Sequence, residues 1–208
     1  MARKLDKPED LITDVKEKAF QRAIFHEKES IVARSRVTWC ALESPIDKNR
    51  EVNSKSRGEF NLDLLGRKGK NQYIVCEVKF SCNHIDSPQD AADEAFKYFD
   101  VIRRDAPILD TIATHHYGEE MFSWTDIKED SELWVVANAA YWVYWLGNRK
   151  KRIPEFGYSK HNESKKKVRC FSIDIPEDYF IALKNGDYNY KPQFDKSKSI
   201  KWIELFYQ

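Results

Sequence analysis

Three residues in the first half of the chain have the types and the spacing to do chemistry together. Asp63 is followed, fourteen positions on, by Glu77-Val78-Lys79. The stretch that contains them, GEFNLDLLGRKGKNQYIVCEVKF from Gly58 to Phe80, reads as two strand-like runs around a tight Lys68-Gly69-Lys70-Asn71 connection, which predicts a hairpin. With the turn centred near Lys70, the numbers of facing residues sum to about 140, so Asp63 faces Glu77 and Asn61 faces Lys79. Alternation then places Glu59, Asn61, Asp63, Glu77 and Lys79 on one face. Phe60, Leu62, Leu64, Cys76, Val78 and Phe80 fall on the other, an apolar set that fixes the register.

Two carboxylates facing each other across a hairpin repel unless a positive charge sits between them. A lysine two residues along the strand is one such charge; a divalent cation is the other. Oxygen ligands from Asp and Glu suit Mg²⁺ or Mn²⁺ better than zinc, which prefers His and Cys. The alternative is a cross-strand ion pair on a solvated face, worth a few tenths of a kcal/mol. Apolar neighbours after Tyr73 predict burial instead, where an unpaired charge is costly.

These residues need elements to position them. Pro8 to about Arg36 reads as a helix, with Thr13, Phe20, Ile24, Glu27 and Ile31 recurring at helical steps, so that Glu27 is an acid on an apolar stripe. Val37 to Leu42 reads as a strand and Ser44 to Arg57 as a polar loop. A second helix is expected from Pro88 to about Arg104, capped by Ser87 and acidic in its first turns. Leu133 to Ala139 reads as a buried strand, with Tyr141 to Leu146 continuing it. Strand-like pieces at Val168 to Ile175 and Ile200 to Phe206 close the chain. The simplest organisation is a single α/β domain over residues 1–208, with a core at about 9–146 and C-terminal additions at 147–208.

Asp63, the gap, and Glu77-x-Lys79 on a hairpin between two helices resemble the PD-(D/E)xK nuclease superfamily, over about residues 15–140. The resemblance implies a restriction-endonuclease-like core, helix-strand-strand-strand-helix-strand, with a mixed central sheet flanked by helices. It also implies divalent-metal-dependent hydrolysis of DNA phosphodiester bonds. Carried over, Asp63 and Glu77 ligate Mg²⁺ or Mn²⁺, and Lys79 orients or activates the attacking water and stabilises the transition state. The first-helix acid, Glu27 with Glu17 and Glu29 as alternatives, completes the shell. Gln89, at the start of the second helix, is a candidate contact to substrate phosphate. Leu62 stands where the family has proline before the aspartate.

Composition narrows the rest. Thirty-five basic and 34 acidic residues leave +1, and 28 aromatics (12 Phe, 10 Tyr, 6 Trp) can fill a core. The longest uncharged stretch, Leu133 to Asn148, is shorter than the ~20 residues that span a bilayer. The charged N-terminus lacks the apolar core of a secretory signal, so the cytoplasm is the expected location. Cys40, Cys76, Cys82 and Cys170 fit no metal spacing and read as reduced and structural. The histidines show no ligand spacing, and neither GxGxxG nor a P-loop is present. From Arg149 to Arg169, nine basic residues stand against Glu155 and Glu163, a local +7. Arg149, Lys150, Lys151, Arg152, Lys165, Lys166 and Lys167 are therefore candidates for tracking a phosphate backbone. DNA is the expected partner, and a duplex cutter that needs two active sites suggests a homodimer. The competing expectation is a non-catalytic nucleic-acid-binding or interaction protein of the same fold, using Lys79 and the basic segment.

Overall fold

The computed structural model describes residues 8–46, 61–80, 86–113, 122–129, 131–147, 166–175 and 200–205. The chain forms α1 (Pro8–His26), β1 (Glu29–Val32), β2 (Ser35–Pro45), β3 (Asn61–Lys68) and β4 (Gln72–Lys79). Then follow α2 (Pro88–Ala113), α3 (Trp124–Glu129), β5 (Ser131–Asn138), α4 (Ala139–Trp142), a π-helical turn at Val143–Gly147, β6 (Val168–Asp174) and β7 (Lys201–Leu205). All seven strands join one mixed sheet in sequence order. β1 to β4 are antiparallel, β4, β5 and β6 run parallel, and β7 returns antiparallel on β6.

The hairpin holds the register that its sequence predicts. Leu64 pairs with Cys76, Leu65 with Val75, and so on to Lys68 with Gln72, each pair summing to 140. Gly69 turns the chain at φ 66°, where a Cβ would be strained. Alternation sorts the two faces: Leu65 and Val75 pack toward α2, whereas Leu64, Ile74, Cys76 and Val78 pack toward α1. Leu62 departs from the expected pattern and joins the α2-side cluster. There β3 stays paired with β2, at Ser44 with Leu62, while its ladder with β4 ends at Leu64 and Cys76.

Helix α1 buries Phe20, Ala23 and Ile24, an i, i+3, i+4 stripe, against the sheet face lined by Trp39, Trp134, Phe171 and Ile173. Complete burial of a side chain such as Phe20 contributes about 1.5–3 kcal/mol. The sheet curls on this side until β1 and β7 touch, and Trp39 stacks on Trp202 at 5.7 Å. Helix α2 covers the other face through Ala91, Ala92, Phe96, Phe99 and Ile102.

Several expected boundaries shift for identifiable reasons. The first helix stops at His26, not Arg36: Lys28 adopts φ 61°, and Ala33 and Arg34, at φ 47° and 65°, form a two-residue turn between β1 and β2. Ser44 belongs to β2 and is buried, so the expected polar loop begins later. Helix α2 runs through Pro107 to Ala113, past the expected end at Arg104. Its start is a capping box: Ser87 Oγ accepts from the Asp90 amide, and the Ser87 amide donates to Asp90 Oδ2. Tyr141 to Leu146 does not extend β5. Asn138 Oδ1 accepts from the Tyr141 amide and caps α4, and the chain turns away from the sheet. Among the described residues no helix is long and apolar enough to cross a membrane.

Candidate active site

The site forms where the hairpin opens. Beyond Leu64 and Cys76, the amides of β4 that face β3 have no ladder partner and require other acceptors. Asp63 Oδ2 accepts from the Val78 amide at 2.8 Å, and Glu17 Oε2, from α1, accepts from the Phe80 amide at 3.1 Å. Two carboxylates are thereby fixed beside the last residues of β4. The position lies at the carboxyl ends of the parallel strands β4 and β5, where open α/β sheets hold their ligands.

Glu77 and Lys79 point together toward α2. They are buried, at 2% and 7% exposure, which removes the solvated surface pair from consideration. Lys79 Nζ lies 2.9 Å from Glu77 Oε1, 2.7 Å from Glu94 Oε2 on α2 and 3.2 Å from Asp86 Oδ2 just before α2. Tyr141 on α4 donates its hydroxyl to the Asp86 carbonyl at 3.1 Å and pins that segment.

The second Glu77 oxygen, Oε2, has no hydrogen-bond donor. It is the one carboxylate oxygen among the buried, unpartnered side-chain atoms of the described residues. The nearby Glu94 carboxylate is a partner for it only when Glu77 carries a proton. Burial, reinforced by the Asp63 charge, pushes the Glu77 carboxyl well above the usual carboxylate range. Burial also raises Asp63 to about 7; Lys79 and the Val78 amide oppose the rise, and Glu17 and Glu94 add to it. For Lys79 burial works the other way, yet Glu77, Glu94 and Glu17 outweigh it and hold the ammonium charged. Glu94 stays below its ordinary range because Lys79 overcomes the cost of its burial. Tyr98 on α2 is buried beside Glu77, Glu94 and Asp63, and both influences keep its phenol protonated.

Five carboxylates, Glu17, Asp63, Glu77, Asp86 and Glu94, thus surround one ammonium. The surplus negative charge requires protons or a cation. The candidate donors are all oxygens. Among the described residues no group of three or more His, Cys, Asp or Glu side chains is placed to hold a metal ion. Toward solvent the site opens into a groove of about 700 Å³ along α2, lined by Asp86, Asp90, Asp93, Glu94 and Asp100 with Lys97 and Arg104.

The other candidates lie elsewhere or outside the described residues. Glu27 sits past the end of α1, not on its apolar stripe. Its carboxylate accepts from Ser30 Oγ and, at 3.1 Å, from the Ile200 amide, so it ties β7 to the β1 turn. Glu29 pairs with Arg36 on the surface. Of the three helix acids considered, Glu17 is the one beside the site. Gln89 donates to Asp93 at 3.1 Å. Lys166 donates to the Ser131 carbonyl and lies 4.3 Å from the Phe99 ring centroid, while Lys167 is exposed. Arg169 is committed to Glu132 and Glu204, at the end of the sheet away from Lys79. Arg149, Lys150, Lys151, Arg152 and Lys165, like Glu59, Phe60 and Cys82, lie outside the described residues. Cys40, Cys76 and Cys170 are buried free thiols.

Sequence reasoning did not find Glu94, Asp86 or Tyr98. The available signal was the spacing of Glu94 and Tyr98 on one face of an acidic helix directly after the hairpin. No protein family, curated protein or solved structure matches the chain.

Proposed function

We propose that this chain is a divalent-metal-dependent nuclease that hydrolyses DNA phosphodiester bonds, built on a restriction-endonuclease-like core of α1, β2, β3, β4, α2 and β5. The observation that carries the reading is Glu77 Oε2, a buried carboxylate oxygen without a donor, beside a half-buried carboxylate, Asp63, and a charged lysine. Evolution of a purely structural ion pair gives no reason to keep that oxygen unsatisfied in an apolar strand.

Asp63 and Glu77 would hold Mg²⁺ or Mn²⁺. When bound, the cation supplies Lewis-acid stabilisation of charge on the phosphate and makes a water more acidic. Lys79 is held as an ammonium by its carboxylates, so it cannot take a proton from the attacking water. Its role is to donate hydrogen bonds: it orients that water and stabilises charge that develops on the phosphate oxygens. Tyr98 remains a neutral phenol beside these groups and keeps the site dry on the α2 side. Glu17 fixes the end of β4 through the Phe80 amide and adds negative charge near Asp63.

The competing reading, a non-catalytic nucleic-acid binder, needs Lys79 on an accessible surface. Its burial and its three carboxylate partners favour the catalytic reading. The test is incubation with supercoiled plasmid and with linear and branched DNA, in Mg²⁺ or Mn²⁺ against chelator, beside Asp63→Ala and Glu77→Ala. Metal-dependent nicking that both variants lose supports the nuclease. Absence of cleavage on every substrate, with no Mn²⁺ bound, refutes it.

A further inference from the structure

We propose that Glu94 is a positioning residue that tethers the Lys79 ammonium to α2 and thereby keeps the Asp63 and Glu77 carboxylates available to a cation. The inference rests on the nuclease reading and deepens it. Lys79 and Glu77 share one face of β4, two residues apart, so the ammonium is built into the same strand as the carboxylate that must bind metal. A lysine so placed is a competitor as well as a helper, because its three N–H groups seek the same oxygens as a divalent ion.

In the structure those three donors face three acceptors from three segments: Glu77 Oε1, Glu94 Oε2 and Asp86 Oδ2, at 2.9, 2.7 and 3.2 Å. Glu94 makes the shortest contact. Asp86 and Glu94 are about equally exposed, at 45% and 41%, so the difference between them lies in the shorter contact. Glu94 is the closer restraint that draws Nζ toward α2. Without it, one donor is freed inside a pocket whose remaining uncompensated acceptors are Glu77 Oε2 and Asp63. The ammonium then swings onto the oxygens that the cation requires.

A simple loss of charge predicts something different. Removing an acid near a cation site weakens binding by a fixed factor, whatever stands at position 79. The tether predicts coupling between the two positions, and a double-mutant cycle measures it. The probe is Mn²⁺ alone, with the free ion followed by electron paramagnetic resonance in the wild type, Glu94→Ala, Lys79→Met and the double variant. Glu94 lies on the groove side of α2, and alanine favours helix, so Glu94→Ala folds; circular dichroism checks each variant, Lys79→Met above all because it removes a buried ammonium.

The expected result is that Glu94→Ala weakens Mn²⁺ binding about tenfold and that Lys79→Met restores about tenfold in that background. Lys79→Met in the wild-type background changes affinity by less than about threefold, and Glu94→Gln, which keeps an oxygen acceptor for the ammonium, falls between wild type and Glu94→Ala. An equal effect of Lys79→Met in both backgrounds overturns the tether and leaves Glu94 a mere charge. Failure of Lys79→Met to restore binding makes Glu94 a ligand and also overturns it. Absence of Mn²⁺ binding by the wild type defeats the nuclease reading and the tether together.

Discussion

Asp63→Asn is expected to stabilise the metal-free protein at alkaline pH, although it removes a residue central to the proposed site. Burial lifts the Asp63 carboxyl from 3.8 to about 7, so its ionisation works against the fold. The folded chain keeps a proton that the unfolded chain has already released between about pH 4 and pH 7. Protonation in that window favours the native state: the Asp63 penalty is full above pH 7 and fades as the pH falls toward 4. The distance from 3.8 to about 7 corresponds to about 4 kcal/mol, an upper bound because Asp63 is partly open to solvent. Asparagine retains an oxygen for the Val78 amide and carries no charge. Urea unfolding in chelator, from pH 8 to pH 4.5, compares the two proteins, and the difference between them cancels the titrating groups that lie away from Asp63. Asp63→Asn should lead by up to about 4 kcal/mol at pH 8 and by only about 1 kcal/mol at pH 4.5. A difference that is flat across this range, or that widens on acidification, refutes the electrostatic argument. Saturating Mg²⁺ should invert the order at pH 8, since only the wild type gains binding free energy.

Four further outcomes follow from the same geometry. Cation binding at pH 6.5 should release at least about one proton, read by calorimetry in buffers of different ionisation heat, because the Asp63 and Glu77 pair must deprotonate to coordinate. Glu17→Ala should lower the cleavage rate by about 10- to 100-fold, as loss of a group that orients a ligand strand does. Glu27→Ala should keep the rate within about twofold yet cost about 1–3 kcal/mol of stability, since it leaves the Ile200 amide without its acceptor. DNA should associate with the protein in Ca²⁺ but not in chelator, because five carboxylates line the groove at the site; equal retention in a filter assay under both conditions would contradict this.

The hairpin was legible because its signals are local. A Lys-Gly-Lys-Asn turn and two runs of period two fix the register as far as Leu64 with Cys76; beyond it the ladder ends, and Asp63 is placed by its contact with the Val78 amide. The end of the first helix was not legible, because Lys28, Ala33 and Arg34 take positive φ without glycine or asparagine to announce it. Periodicity therefore ran on to Arg36 and carried Glu27 onto a stripe that does not exist there. The expected end of the second helix at Arg104 erred in the opposite direction: tertiary packing of α2 on the sheet carries the helix through Pro107 to Ala113. Glu94, Asp86 and Glu17 reach the site only through the packing of α1 and α2 on opposite faces of β4. No spacing within one segment encodes that.

The curl of the sheet bears on how copies of this chain can meet. A flat sheet offers each outermost strand as a template, and a second chain can extend the ladder there. Here β1 and β7 bend toward each other, and Glu27 occupies the Ile200 amide that leads into β7. The sheet nearly uses up its own rims. Self-association by strand addition is disfavoured, so if the proposed nuclease works as a pair of copies, the pairing falls to the helices, leaving the spacing between the copies to be set by surfaces that can vary without disturbing the core.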